Sequence, residues 1–481
     1  KRKGCFSFGV LPSKYSGSWR CEMQMRCAQK MEGFKGRKFF ARASQICYNP
    51  IIMTERMDRQ PSPESKERPK PIDVNFFKLG GTWDMVFREG QKIGSGSLDD
   101  DKLLEIQNEL GYLSENPQER AVAERKLVGE LYARFQGTKA EERNAGEHLS
   151  SWAKNEKTGE QFDNFVSGPF VPLFSGDSSH LTNCVISPMI ATLIERAVKE
   201  PHKPILGGQG TDTADIALLQ IFDVMTFDTK LPPLLLAGAN RSWHEAGSDA
   251  PENFVNLGKL AHIDLNSGAY WVFQGNIYRA SDFVKIDPQE SRLIEKQSTF
   301  HSPHEKQQTI GGVLSIGRKA EWESRQTPQP EHVVHKLTAE GLYDAAESVY
   351  TDDLGSGNSI PKFMKAYYDP ENKAIVVGAH SLGNVDNARR RDAVNAAKSG
   401  KLVIDVSRTL IGAVSEEYAA SLLSANRNPQ ELGGTGKIII SAHKLNKAVS
   451  HALAARAILE GLDQVQTQKL FDDYARSREL M

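Results

Sequence analysis

Short apolar runs followed by glycine-rich polar turns are the most informative pattern in this sequence. Residues 76–79 and 204–206 are mainly apolar, and a Gly-Gly pair follows each run. Such runs predict buried strands. The glycines let a ligand approach the backbone closely and leave backbone amides available to an anion. Because each turn also presents a threonine, the pair predicts one shared site. The turns carry Gly81 and Thr82 in the first case, and Gly210, Thr211 and Asp212 in the second.

Helical periodicity dominates the stretch between these turns. Asn116 is a typical N-cap, Pro117 suits a first helical turn, and apolar residues recur at helical spacing up to Gly137. Ser97 precedes a similar pattern, so we expect another helix there. Alternating strands and helices predict an α/β protein with two doubly wound α/β domains, a larger N-terminal one with a parallel-rich sheet and a smaller C-terminal one.

Composition narrows the functional classes. The 481 residues include 25% charged side chains and carry a formal net charge of −1, which gives no electrostatic reason to expect nucleic acid as a partner. No apolar run approaches bilayer length, so we expect no membrane partner. Four of the five cysteines lie within the first 47 residues, so no disulfide framework is expected and a cytoplasmic location fits best. Residues 1–52 are basic, which leaves an organellar transit peptide, a basic tail or non-native sequence upstream of Met53 as interpretations.

Further motifs follow in a recognisable order. An Asp177-Ser178 pair lies between the two threonine turns, and a Gly-Ala-Asn-Arg segment at 238–241, a Ser-Asp-Ala segment at 248–250 and Lys285 follow them. This order resembles the bacterial-type L-asparaginase/glutaminase family. The similarity extends to a Gly-Asn turn at 383–384 and covers roughly residues 72–481.

The resemblance implies an amidohydrolase that converts L-asparagine to L-aspartate and ammonia without a metal or an organic cofactor. It implies that Thr82 attacks the side-chain amide carbon, and that Thr211, Asp212 and Lys285 form a triad that activates a nucleophile or water. Either threonine could be the nucleophile. A lysine whose pKa is lowered by burial could act as the base, and composition alone favours a solvated lysine at position 285.

Substrate binding requires a carboxylate for the α-ammonium group and hydroxyls or amides for the α-carboxylate. Asp212 and Ser178 match these needs. Ser178 or Ser179 could also cap the helix that the following apolar pattern predicts, and the two roles are compatible. The full set that we expect to bind substrate is Gly81, Asp177, Ser178, Gly210, Asp212 and Asn384.

The resemblance also predicts the domain organisation and the assembly. Asn384 would complete the site of a neighbouring protomer, so we expect a homo-oligomer, either a dimer or a tetramer, with the site near the protomer interface. The helical insertion would cover the site, thicken a subunit interface, or form a hairpin on the surface. The expected divisions are an N-terminal extension, disordered or non-native, at 1–71, a catalytic domain at 72–305 with the insertion at about 99–160, a linker at 306–345 and a C-terminal domain at 346–481.

Departures from the family pattern keep alternatives open. Gln209 stands where the family usually has a histidine, and residues 84–90 lack the tyrosine of the usual lid. A glutaminase, another amidohydrolase of the family or a catalytically inactive amino-acid-binding relative would also fit. A serine hydrolase is a further alternative, because a strand leads to Ser381, and Asp405 and His443 follow in the chain order of such enzymes.

Overall fold

The described part of the chain lies within one compact unit, Arg68–Met481. The computed structural model describes residues 70–80, 98–211, 218–285, 300–301, 308–309, 314, 319, 337–353, 365–380, 383–408, 413–415, 421–434 and 436–480.

The first sheet contains seven strands among the described residues, in the order β4, β2, β5, β6, β7, β8 and β11 once they are numbered along the chain. The first five in this order are parallel, and the last two pair antiparallel. Two short pairs, β1 with β3 and β9 with β10, lie outside it. The strands are β1 (Ile72–Asp73), β2 (Asn75–Leu79), β3 (Val166–Ser167), β4 (Phe170–Phe174), β5 (Ile205–Gly208), β6 (Leu234–Ala237), β7 (Ala269–Phe273), β8 (Asn276–Arg279), β9 (Val284–Lys285), β10 (Phe300–His301) and β11 (Gln308–Thr309).

Both faces of this sheet are covered. Along β6, Leu234 and Leu236 pack into one core, whereas Leu235 and Ala237 pack into the core on the opposite face. Side chains alternate across a strand, so a strand with both faces buried is apolar at nearly every position. The continuous apolar runs of the sequence are therefore strands of a doubly wound sheet, as predicted.

Helices cover the two faces of the first sheet. Among the described helices, none is both long and apolar enough to cross a membrane. The helices of this half are α1 (Asp100–Leu110), α2 (Pro117–Gly137), α3 (Ala145–Ser150), α4 (Asn183–Lys199), α5 (Leu218–Thr226) and α6 (Ala250–Leu260), with 3₁₀ turns at Phe162–Asn164 and Ser178–His180.

The predicted helices between the two threonine turns are present. The side chain of Asn116 caps α2 by accepting a hydrogen bond from the Gln118 N–H, and Pro117 is its first residue. The helix expected after Ser97 is α1, which begins at Asp100 and is capped by Asp99. Helix α2 packs against α4 and against a later helix, α7 (Ala339–Glu347), which places it beside the connection to the second half of the chain.

The second half contains a smaller parallel sheet. Its four described strands lie in chain order, and α8 packs on one of its faces. The elements are β12 (Val349–Asp353), β13 (Ala374–Ala379), α8 (Asn387–Lys398), β14 (Leu402–Ser407), β15 (Ile440–Ser441), α9 (Lys447–Glu460) and α10 (Gln464–Ser477), with a 3₁₀ segment at Leu422–Arg427.

Buried polar contacts join the two halves. Arg478, just after α10, bonds Asp223 of α5 at 2.8 Å, and Arg456 of α9 donates to the Val224 carbonyl at 2.7 Å. One hydrophobic core runs from the first sheet through α5 and α9 to the second sheet. The α/β architecture with two parallel-rich sheets confirms the predicted fold class, and the numbered domain boundaries remain our proposal.

Candidate functional site

Four parallel strands end side by side at one edge of the first sheet, in the order β4, β2, β5 and β6. The chain passes from β2 to β4 on one side, then crosses to β5 on the other side of β2 and continues outward to β6. The direction of winding therefore reverses between β2 and β5. Doubly wound sheets bind ligands in the crevice at such a switch point, outside the carboxyl ends of the strands.

The loop after β2 begins at Gly80 and lies against the loop after β4. Gly80 has a φ of +80°, and a Cβ there would lie 2.6 Å from the Phe174 ring and 2.7 Å from the Gly176 carbonyl oxygen. A residue with a side chain would be strained and would clash, so this approach requires glycine. Gly81 and Thr82 come next in the chain and lie outside the described residues.

The loop after β4 holds Asp177 and Ser178. The Asp177 carboxylate accepts a hydrogen bond from the Ser179 N–H at 2.8 Å and so caps a 3₁₀ turn, while Ser178 is buried. Helix α4 begins only at Asn183, after Thr182. The prediction that Ser178 or Ser179 caps this helix was wrong, because the chain makes a separate 3₁₀ turn first.

The loop after β5 is enclosed. Gln209, Gly210 and Thr211 are all buried, and the Gln209 N–H donates to the Ala237 carbonyl at 3.0 Å, which ties this loop to the end of β6. Thr211 is only 6% exposed. Asp212 follows directly and lies outside the described residues.

The loop after β6 is held by carboxylate and amide side chains. Asp249 accepts hydrogen bonds from the backbone N–H groups of Asn240 and Arg241, at 3.0 and 3.3 Å. The Asn253 amide donates to the Gly238 carbonyl at 2.9 Å. The Ser-Asp-Ala motif singled out in the sequence therefore fixes the backbone of its own loop.

Lys285 and Asn384 lie away from these four loops in the chain. The backbone of Lys285 belongs to β9, where it pairs with Phe300 of β10. Asn384 follows β13 in the second half, where its carbonyl accepts from the His380 N–H at 2.9 Å and its backbone bridges Ser421. The described contacts of Asn384 are thus within the second half of the chain.

Asp405 and His443, the acid and the base of the serine-hydrolase alternative, do not form a hydrogen-bonded pair in the described structure. His443 Nε2 lies 2.7 Å from the Asp472 carboxylate. Asp405 is fully buried within β14, and burial raises its pKa well above the ordinary value. A carboxyl group that burial makes harder to ionise is poorly suited to stabilise the imidazolium that such a mechanism forms. Ser381 lies outside the described residues.

Asp100 makes a contact with the loop after β4 that sequence reasoning missed. Its carboxylate, in the first turn of α1, accepts a hydrogen bond from the Asp177 N–H at 3.0 Å. The sequence offered only a weak signal, since acidic residues are common in the first turn of any helix.

Loops that bear hydroxyl and carboxylate side chains lie at the switch point of this doubly wound sheet, which is where α/β proteins of this class bind small molecules. Residues 74–313 match the family model described as Asparaginase, N-terminal. The chain belongs to the asparaginase family through this domain.

Solved structures share the fold at low sequence identity. The thermostable L-asparaginase from Thermococcus kodakarensis is 16% identical with a TM-score of 0.52, and the alignment covers 83% of this chain and 97% of that protein. A probable cytoplasmic L-asparaginase from Campylobacter jejuni is also 16% identical, with a TM-score of 0.51 and coverage of 83% and 99%.

A curated relative has a different name. The 60 kDa lysophospholipase of Mus musculus is 23% identical over 265 residues, which are 53% of this chain and 42% of the relative. The chain thus matches less than half of that protein's length.

Proposed function

We propose that this protein is an L-asparaginase-type amidohydrolase that converts L-asparagine to L-aspartate and ammonia. The adjacency of the carboxyl ends of β4, β2 and β5 carries the proposal. Ser178 and Thr211 lie in the loops after β4 and β5, and Thr82 follows Gly80 by two residues in the sequence. A nucleophile, a second hydroxyl and a carboxylate-binding serine would then face one crevice.

The proposed reaction needs no metal or organic cofactor. The Thr82 hydroxyl forms a bond to the amide carbon, the backbone amides of the glycine turns stabilise the oxyanion, and the amide nitrogen leaves as ammonia after receiving a proton. Water then hydrolyses the ester and releases aspartate. Thr211, Asp212 and Lys285 would move the proton, and the burial of Thr211 supports its place in a water-poor site. The assignment of the two threonines could also be reversed.

Substrate recognition would divide between the ends of the amino acid. Asp212 would bind the α-ammonium group, and Ser178 with the nearby backbone of Asp177, Gly81 and Gly210 would bind the α-carboxylate. Asn384 would reach the site of a neighbouring protomer in a dimer or tetramer. We place this activity in the cytoplasm, in line with the name of the Campylobacter jejuni neighbour.

The test is ammonia release from L-asparagine, L-glutamine and D-asparagine by the purified chain. Thr82→Ala and Thr211→Val should each lower turnover of L-asparagine by a factor on the order of 100 or more. Thr138→Val is the matched control, because that hydroxyl donates to the Arg134 carbonyl at the end of α2. Preference for L-glutamine would identify a glutaminase. A chain that binds L-aspartate but releases no ammonia from any amide would identify an inactive binding relative.

A second candidate is hydrolysis of an ester in a lysophospholipid. The name of the mouse relative favours it, and an activated threonine attacks esters by the same chemistry as amides. Fatty-acid release from lysophosphatidylcholine, measured beside ammonia release from L-asparagine, separates the two. Ester hydrolysis without amide hydrolysis would replace the asparaginase proposal.

A further inference from the structure

The start of the helical insertion lies directly on the loop that carries Ser178. The Leu98 N–H donates to the Leu173 carbonyl at 3.3 Å, and the Leu98 carbonyl accepts from the Ser175 N–H at 2.8 Å. Leu98 thereby extends the edge of the sheet beside β4. The two residues that follow Leu98 enter α1, so the first turn of this helix is fixed beside the loop after β4.

The Asp100 carboxylate binds this loop at several points. It accepts the Asp177 N–H with both oxygens, at 3.2 and 3.0 Å, and its Oδ1 lies 2.7 Å from His180 Nδ1. A Cβ on Gly176 would lie 2.0 Å from the same Oδ1, so the carboxylate fills the space that this glycine leaves open. Asp100 therefore contacts the loop on both sides of Ser178.

Asp100 is not needed to cap its own helix. Asp99 is the N-cap of α1 and accepts from the Lys102 N–H at 2.8 Å. Asp101, the next acidic residue of the first turn, is exposed. The helix would have its capping bond and a favourable negative charge without Asp100, whereas the loop after β4 would lose three contacts.

We propose that Asp100 is a positioning residue that holds the loop at 176–180 so that Ser178 and the neighbouring backbone bind the α-carboxylate of the substrate. This inference rests on the proposed function, because it assigns the same loop to substrate binding. Asp100 acts through the loop and does not contact the substrate. The insertion thus contributes to the affinity of the site through one carboxylate.

The test compares Asp100→Ala and Asp100→Asn with the neighbouring control Asp101→Asn in the full chain. Loss of a charge-assisted contact that orders the loop should raise the KM for L-asparagine on the order of tenfold in Asp100→Ala, with kcat within about twofold of wild type. Asp100→Asn keeps one oxygen acceptor and should fall between wild type and Asp100→Ala. Asp101→Asn should match wild type. Unchanged KM in Asp100→Ala would overturn the proposal.

Amide hydrogen exchange provides a readout that does not depend on turnover. The peptide spanning 176–182 should exchange faster in Asp100→Ala than in wild type or Asp101→Asn, because the Asp177 N–H loses its acceptor. If the wild-type chain releases no ammonia, the proposed function fails, and exchange still decides whether Asp100 orders the loop. Equal exchange in all three proteins would overturn the inference.

Discussion

Removal of the Asp223 carboxylate should loosen the junction between the two halves of the chain. Asp223 accepts two hydrogen bonds from Arg478, at 2.8 and 3.3 Å, one from the Tyr474 hydroxyl and one from the Ala269 N–H at 2.8 Å. Burial alone would lower the pKa of Arg478, but the Asp223 carboxylate outweighs this effect and holds the pKa above its ordinary value. Arg478 and Asp223 therefore form a buried ion pair between the two halves.

The size of the effect follows from what Asp223→Ala leaves behind. The Arg478 side chain is 4% exposed and would stay buried without its counter-ion. Breaking a buried ion pair from one side costs about 3–5 kcal/mol, and an unsatisfied N–H at Ala269 adds on the order of 1 kcal/mol. We expect a loss of about 5 kcal/mol in the free energy of unfolding.

Urea unfolding followed by tryptophan fluorescence measures this loss. The double variant Asp223→Ala with Arg478→Met should recover more than half of it, because neither charge is then buried alone. Asp228→Ala is the control. Asp228 is 44% exposed, and its partner Arg456 keeps Glu460 and the Val224 carbonyl, so the expected loss is about 1 kcal/mol. Equal losses in the two single variants, or a double variant no more stable than Asp223→Ala, would refute the reasoning.

Three further predictions concern stability and reactivity. Gly80→Ala should lower the free energy of unfolding by roughly 2–4 kcal/mol, because strain at its positive φ adds to the clash with Phe174. The control is Gly111→Ala, which should cost only about 1 kcal/mol, because Gly111 has a similar φ of +76° but nothing lies within 4 Å of its added Cβ. Equal losses in urea unfolding of the two variants would contradict this prediction. Burial lowers the pKa of His451 from 6.5 to about 4, so the unfolded chain takes up a proton before the folded one. The contribution of His451 to the free energy of unfolding is then fully present above pH 6.5, and up to about 3 kcal/mol of it is lost as the pH drops to 4. The variant His451→Gln should flatten this pH dependence, whereas the exposed control His202→Gln should not. Burial also raises the pKa of the Cys184 thiol to about 12. Mass spectrometry after treatment with a disulfide reagent at neutral pH should therefore find Cys184 unmodified in the native protein and modified in urea. Labelling of Cys184 in the native protein would contradict its burial.

Much of the fold could be predicted because its signals are local. Alternate side chains of β6 pack into cores on opposite faces of the sheet, and the uninterrupted apolar run at 234–237 indicates such a strand from the sequence alone. Helix α2 was predicted with its cap because Asn116 and Pro117 act within one turn. The cap of α4 was mistaken because Asp177 uses the same capping chemistry in a shorter 3₁₀ turn, which begins at Ser178. A sequence pattern does not distinguish those two turns.

The contacts that sequence reasoning missed span long distances in the chain. Asp100 binds the Asp177 N–H across 77 residues, and Arg478 binds Asp223 across 255. Charged residues at helix ends are common for purely local reasons, so neither position signals a tertiary partner. Within the candidate site, topology unites the loops after β2, β4 and β5, and the roles of Thr82, Asp212 and Lys285 remain predictions.

The most direct test of the central claim compares turnover with binding in wild type and Thr211→Val. Ammonia release from L-asparagine should fall by a factor on the order of 100 or more in the variant, since the proposed triad loses its hydroxyl. L-Aspartate binding, measured by calorimetry, should stay within a few-fold of wild type. If Thr211→Val retains wild-type turnover, or if the wild-type chain binds L-aspartate without releasing ammonia from L-asparagine, the two-threonine amidohydrolase is contradicted.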